Sequence, residues 1–218
     1  MSEIAYSIRR SDRARRVRVS VDPHAGVEVV LPRRAPAREA ATAVRELAPW
    51  IARRLHALER ARAELGERRE DEVSYLGETL ALTGEPGRRT VVRRGAELLV
   101  PPGDDRAALE RWYRRRARAE IRPRLDDACR IAATSYAKLT IRAQRTRWAS
   151  CSADGAMSFN WRLLLAPAAV LDAVVWHEVC HLEVADHSPR FWALLERRCP
   201  DYRQHQRWLS RYGALLRL

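Results

Sequence analysis

His177-Glu178-Val179-Cys180-His181, followed after a short span by His187, is the stretch whose reading decides the fold. On an α-helix, residues four apart lie one above the other on the same face, so His177 and His181 can offer two imidazole nitrogens to one metal ion. Glu178, beside the first histidine, is then placed to reach a water at that metal as general base. The span from His181 to His187 is long enough for the helix to end and the chain to turn back with a third nitrogen. Three protein ligands with a fourth position open are the donor set of a catalytic zinc rather than of a closed structural one. Imidazole also accepts manganese or nickel, so zinc is the first expectation and another divalent metal the second.

The flanks agree. From Leu163 to Leu182 nearly every residue is apolar, which predicts a helix buried on all sides. Pro167 suits the first helical turn, and Asp186 can close the far end because Asp tolerates the left-handed conformation. Burying two imidazoles and a carboxylate there is costly unless something pairs with them, and a dication would. The plainer alternative, core histidines with ordinary hydrogen bonds, fits poorly with a chain that has only six histidines in 218 residues.

Hydrophobic residues make up 46% of the chain, which places it among globular proteins. The longest apolar run, Leu163 to Trp176, is too short for a membrane span and contains Asp172. The N-terminus has no apolar signal region, and the expected location is cytoplasmic, with no membrane partner. Cys129, Cys151, Cys180 and Cys199 are widely spaced, which argues against a disulfide framework and a zinc ribbon. Cys180 is expected to pack as a small apolar side chain. The net charge of +13 permits an anionic partner, nucleic acid included. Lys138 is the only lysine, however, so the basic residues look compositional, and no recognised DNA- or RNA-binding motif is present. Nucleic acid is therefore possible as a partner but not favoured.

Along the chain, residues 4–8, 17–21 and 27–31 read as strands, and 36–64 as helix divided or kinked at Pro49. The arginines from Arg9 to Arg18 fit the solvated face of an edge strand better than a phosphate track. Three more strands follow at 75–83, 90–93 and 97–100. Pro101-Pro102-Gly103-Asp104 marks the expected boundary between a β-rich part (1–103) and a second domain (104–218). Asp104 or Asp105 can cap a long basic helix to Thr134, open to disturbance at Pro123. Strands at 139–141 and 157–161 flank Gln144 to Ser152, a hairpin turning at Asp154-Gly155. An edge strand near a metal helix can hold extended substrate. Ser188-Pro189 opens a further helix, and Asp201 caps the last one, which stops near Gly213.

The chain from Gln144 to Trp208 resembles the YgjP-like metallopeptidase family, relatives of the SprT and WLM groups of zincins. The resemblance rests on Arg147-Trp148-Ala149-Ser150-Cys151-Ser152, Phe159-Asn160-Trp161-Arg162-Leu163 and His177-Glu178-Val179-Cys180-His181-Leu182. Asp186-His187-Ser188 with Phe191-Trp192, and Pro200-Asp201-Tyr202 with Trp208-Leu209, complete it. The family often has glycine where this chain has Ala149. The histidine spacing equals that of the metzincins, but Val184 stands where they have glycine and no Met-turn is visible. By this resemblance His177, His181 and His187 are metal ligands and Glu178 the catalytic acid–base. The implied fold is α+β, a β-rich N-terminal half and a zincin-like metallohydrolase domain with a buried HExxH helix.

The resemblance implies peptide bonds as substrate, although members have also been linked to pyrophosphate release from nucleoside triphosphates, UTP in particular. Arg145, Arg147 and Arg162 could clamp phosphates bidentately, with carboxylate pairing or solvated strand faces as the structural alternative. Trp148, Ser150 and Asn160 join them as candidate substrate residues. A peptidase would need an open groove beside the edge strand; a nucleotide enzyme would need a closed basic pocket.

Overall fold

A computed structural model describes residues 4–66, 69–103, 106–144 and 147–218, in a mixed α/β fold of six helices and three small sheets among those residues. The chain divides into two compact units, Met1–Glu67 and Arg68–Leu218. The expected caps Asp104 and Asp105, and Arg145, lie outside the described residues.

In the first unit β3 (Gly26–Pro32) is central, parallel to β1 (Tyr6–Ser11) and antiparallel to β2 (Arg18–Asp22). Val27, Val29 and Leu31 alternate on one face of β3, as the period of a strand requires, and pack with Val44 and Ile51 of two helices. These are α1 (Arg38–Glu46) and α2 (Ala48–Leu65), and Pro49 divides them by standing in the first turn of α2. Two of the arginines between Arg9 and Arg18 serve this fold. Arg9 holds Glu28 with two bonds of 2.9 and 3.1 Å, and Arg10 donates to the carbonyls of Arg33 and Ala35.

The second unit opens with a sheet of β4 (Glu72–Tyr75), β5 (Glu78–Gly84), β6 (Val92–Arg94) and β7 (Glu97–Val100), ordered β4-β5-β7-β6. Then come α3 (Arg106–Ile131), β8 (Lys138–Arg142), β9 (Ala149–Cys151) and β10 (Ala156–Asn160). β10 is central in the second sheet, parallel to β8 and antiparallel to β9, so β9 is an edge strand. A 3-10 helix (Trp161–Leu165), α4 (Ala168–Cys180), α5 (Pro189–Arg198), α6 (Tyr202–Tyr212) and a last 3-10 turn (Gly213–Leu215) follow. α3 runs unbroken through Pro123, because Tyr113, Ile121 and Leu125 bury one face on both sides of it.

The boundary expected at residue 103 differs from the observed division after Glu67, and the reason is packing. Val73, Tyr75, Leu80 and Leu98 of the β4–β7 sheet share one core with Tyr113, Ile121, Phe159, Trp161 and Leu171. Backbone bonds add to it. Leu76, held at φ 52° in the β4–β5 turn, donates to the carbonyl of Leu164 at 2.7 Å. Its own carbonyl accepts the N–H of Ala168 at 3.2 Å, one of the donors that every helix N-terminus leaves without an internal partner. Gly77, at φ 96°, lets this turn come up against Pro167. The turn thereby caps the helix that carries the histidines, so the sheet belongs with it.

Two local expectations are corrected. The apolar stretch from Leu163 is not one helix: Trp161–Leu165 forms the 3-10 helix and α4 begins after Pro167, which precedes the first turn rather than sitting in it. Nor does Asp186 close α4. The helix ends at His181 in right-handed backbone, with Leu182 and Glu183 donating back to the carbonyls of Val179 and Cys180, both at 3.1 Å. Tightened bonds of this kind satisfy the last carbonyls without a left-handed residue. Asp186 instead accepts the N–H of Ser188 at 3.2 Å, leading into α5. Asp201 precedes α6 without a side-chain capping bond.

Candidate metal centre and cleft

The last turn of α4 places His177 and His181 on one face, and the segment after it returns His187 to them. Nε2 of His187 lies 3.0 Å from Nε2 of His177, and ligand atoms of all three histidines fall within 4.8 Å of one another. Nitrogens bound tetrahedrally to a divalent ion such as zinc at about 2.0–2.1 Å stand roughly 3.3 Å apart, close to the His177–His187 separation, and the cluster as a whole is compact enough to hold a divalent metal. His181 Nδ1 is 3.1 Å from the carbonyl oxygen of Val184, to which it donates. That bond leaves its Nε2 lone pair for a metal and orients the ring.

Aromatic rings hold the imidazoles in place. Phe191 stacks on His181 at 4.5 Å between centroids, and Trp192 stacks on His187 at 5.4 Å. Trp192 is backed in turn by Tyr202 at 5.8 Å. Arg198 pairs with Glu183 and ties the returning segment to α5. Burial, reinforced by the other two rings, pushes His177 down to about 4. His181 is also lowered, first by burial. These imidazoles are therefore neutral near pH 7, as ligation requires.

Glu178 is 5% exposed, and its Oε2 has no hydrogen-bond partner among the described residues. Burial raises its carboxyl to about 7, against the backbone amide of Cys151, which favours the charged form. An unpartnered carboxylate oxygen is expensive in such a place, and such exceptions call for a functional reason. The donor set and the orphaned oxygen together fit a divalent metal with a water between.

His177 and Glu178 open into a cavity of about 380 Å3 whose walls are mainly apolar, with Val170, Val174, Leu195 and Leu209 among them. Arg147, Trp148 and Ala149 bring the start of β9 to its rim. A second cavity, of about 520 Å3, shares Arg147, Trp148, Leu209 and Ser210 with the first. Arg106, Arg162 and Arg217 also line it.

Of the candidate substrate residues, Arg147 and Trp148 border both cavities and Arg162 the second. Asn160 also lines the second, but its amide donates to the carbonyls of Gln144 (2.7 Å) and Arg147 (3.3 Å) and its oxygen accepts the N–H of Arg162 (3.2 Å). It therefore positions the loop. Ser150 bonds Ser158 at 2.8 Å and lines neither cavity. Sequence reasoning missed Tyr202 and His205 of α6, which line the first cavity, and Gly213, which packs on Trp148. The paired motifs Tyr202 and Trp208-Leu209 were the available signal; no spacing rule connects α6 to α4.

Among the described residues, no helix is long and apolar enough to cross a membrane. No curated protein matches the chain. The crystal structure of the metallopeptidase zymogen of Pyrococcus abyssi abylysin matches 41% of this chain and 92% of its own, with 21% identity and a TM-score of 0.35. The YgjP-like family, described as a metallopeptidase domain, matches residues 15–212, and with a histidine triad able to hold the divalent metal this implies, the chain belongs to the YgjP-like metallopeptidase family.

Proposed function

We propose that the chain is a zinc-dependent hydrolase of peptide bonds with a zincin-like catalytic unit. The observation that carries the reading is the unpartnered, buried Oε2 of Glu178 in the cleft that His177, one of the three clustered histidines, also lines. His177, His181 and His187 would hold the ion through their ring nitrogens. Zinc, when bound, supplies Lewis acidity and a water of lowered pKa. Glu178 would take a proton from water in the cleft and pass it to the leaving amine, acting first as general base and then as general acid. The outer edge of β9, which among the described residues has β10 alone as its neighbour in the sheet, offers backbone groups to an extended substrate. The apolar cleft takes a side chain.

The test combines metal analysis with proteolysis. Wild-type protein should bind about one metal and cleave an unfolded protein substrate; Glu178→Gln should keep the metal and lose cleavage. Wild-type protein that holds its metal and cleaves no peptide sinks the reading.

A second reading, release of pyrophosphate from nucleoside triphosphates such as UTP, is favoured by the arginine-lined cavity beside the cleft. Monophosphate and pyrophosphate appearing with the wild type and not with Glu178→Gln would establish it in place of the first.

A further inference from the structure

The second cavity has a composition unlike the first. Arg106, Arg147, Arg162 and Arg217 line it, with Asn160 and Ser210, and among the described residues that line it none is a carboxylate. Guanidinium groups converging on one space repel one another, and Arg162 bears the mark of this. Its guanidinium lies over the Trp161 ring, 4.7 Å from the centroid. Burial lowers its pKa, Glu110 opposes that, and Arg217, Arg114 and Arg106 lower it further. Glu110 is itself engaged by Arg114, at 2.7 and 2.9 Å. Among the described residues, no carboxylate lies within ion-pair distance of the Arg162 guanidinium. An anion entering here would relieve the repulsion and accept bidentate bonds.

Position decides which anion matters. Arg147, Trp148, Leu209 and Ser210 form a wall common to both cavities. A substrate lying past Trp148 therefore places one part beside Glu178 and the next part among the arginines. We propose that this cavity is a specificity subsite for a carboxylate of the peptide substrate, either an acidic side chain or a free C-terminus, a few residues from the scissile bond. The proposal rests on the peptidase reading above. It concerns residues that hold no metal, so it can be read by binding alone.

The experiment uses metal-loaded full-length protein carrying Glu178→Gln, which binds without turnover, and calorimetric titration with matched peptides. One pair differs by Glu against Gln, a second by a C-terminal acid against an amide. The acidic member of at least one pair should bind about tenfold more tightly, the scale of one charge-assisted hydrogen bond. Adding Arg162→Gln should remove the difference, and adding Arg147→Gln, an exposed position safe for folding, should reduce it. Equal affinities within both pairs, or a preference unchanged in both variants, overturn the subsite. So does a nucleoside triphosphate whose binding depends on Arg162 while both peptide pairs remain indifferent. Wild-type protein tested in parallel separates the two ideas. Cleavage without charge preference counts against the subsite alone, and charge preference without cleavage supports the subsite while counting against the peptidase.

Discussion

A Cβ atom placed on Gly213 would lie 2.8 Å from Cζ2 of Trp148, closer than side-chain carbons approach. Gly213 sits at φ −56°, where any residue is comfortable, so its smallness serves the Trp148 ring and not the backbone. Trp148 belongs to the partition that the apolar cleft and the arginine cavity share.

Gly213→Ala should therefore displace Trp148. Overpacking costs about 1–3 kcal/mol, against about 0.4–1 kcal/mol recovered from the less flexible unfolded chain. Denaturant unfolding should show a net loss on the order of 1 kcal/mol, and the KM for peptide should rise more than kcat falls. A stabilised variant with unchanged KM would show that the ring moves aside freely.

That partition marks the limit of what the sequence makes legible. His177, Glu178 and His181 are readable because a helix repeats every 3.6 residues, and His187 because a short span must turn back. Strand alternation in β3 and the proline at the head of α2 are local in the same way. The docking of Leu76 on Leu164 and Ala168 is not local, since nothing near Leu76 announces a partner almost ninety residues on. For that reason the linker-like Pro101-Pro102-Gly103 looks like a boundary although the sheet before it shares a core with the helix after it. The arginine cavity draws on α3, the β9 loop, the 3-10 helix and the C-terminal turn, and only folding brings them together.

Trp192 tests how far the aromatic wall governs the metal. His187 is the exposed member of the triad, and its ring is stacked between its site and Trp192. Trp192→Ala should weaken metal binding by about 10–100-fold, the usual cost of losing a partner that orients a ligand. Trp192→Phe should recover most of it. Competition against a chelator of known affinity measures both, and unchanged affinity in the alanine variant would make the stacking incidental.

The four cysteines should be inert in the native state. Burial raises every one of them, and Cys151, also near Glu178 and Asp154, is pushed up to about 11. Against its ordinary value of 9.0, that lowers the thiolate fraction of Cys151 at pH 8 by about 100-fold. Iodoacetamide at pH 8 should label the folded protein far more slowly than the unfolded one. Rapid labelling of Cys151 in the folded protein would mean that the β9 edge opens.

Glu178 also leaves a signature in stability that needs no substrate. In the metal-free protein its carboxyl ionises at about 7, against 4.5 when unfolded. Between those values the folded state keeps a proton that the unfolded state has released. Stability from this group is thus fully present below pH 4.5 and is lost as pH rises through 7. Glu178→Gln removes the titration and leaves all other groups in place. The unfolding free energy of the wild type minus that of the variant should therefore fall steadily from pH 4.5 to 7 and level off above. Denaturant titrations of chelator-treated protein at several pH values give this difference directly. A flat difference would mean that water reaches Oε2 in the absence of metal, and that the orphaned oxygen is hydrated rather than held ready.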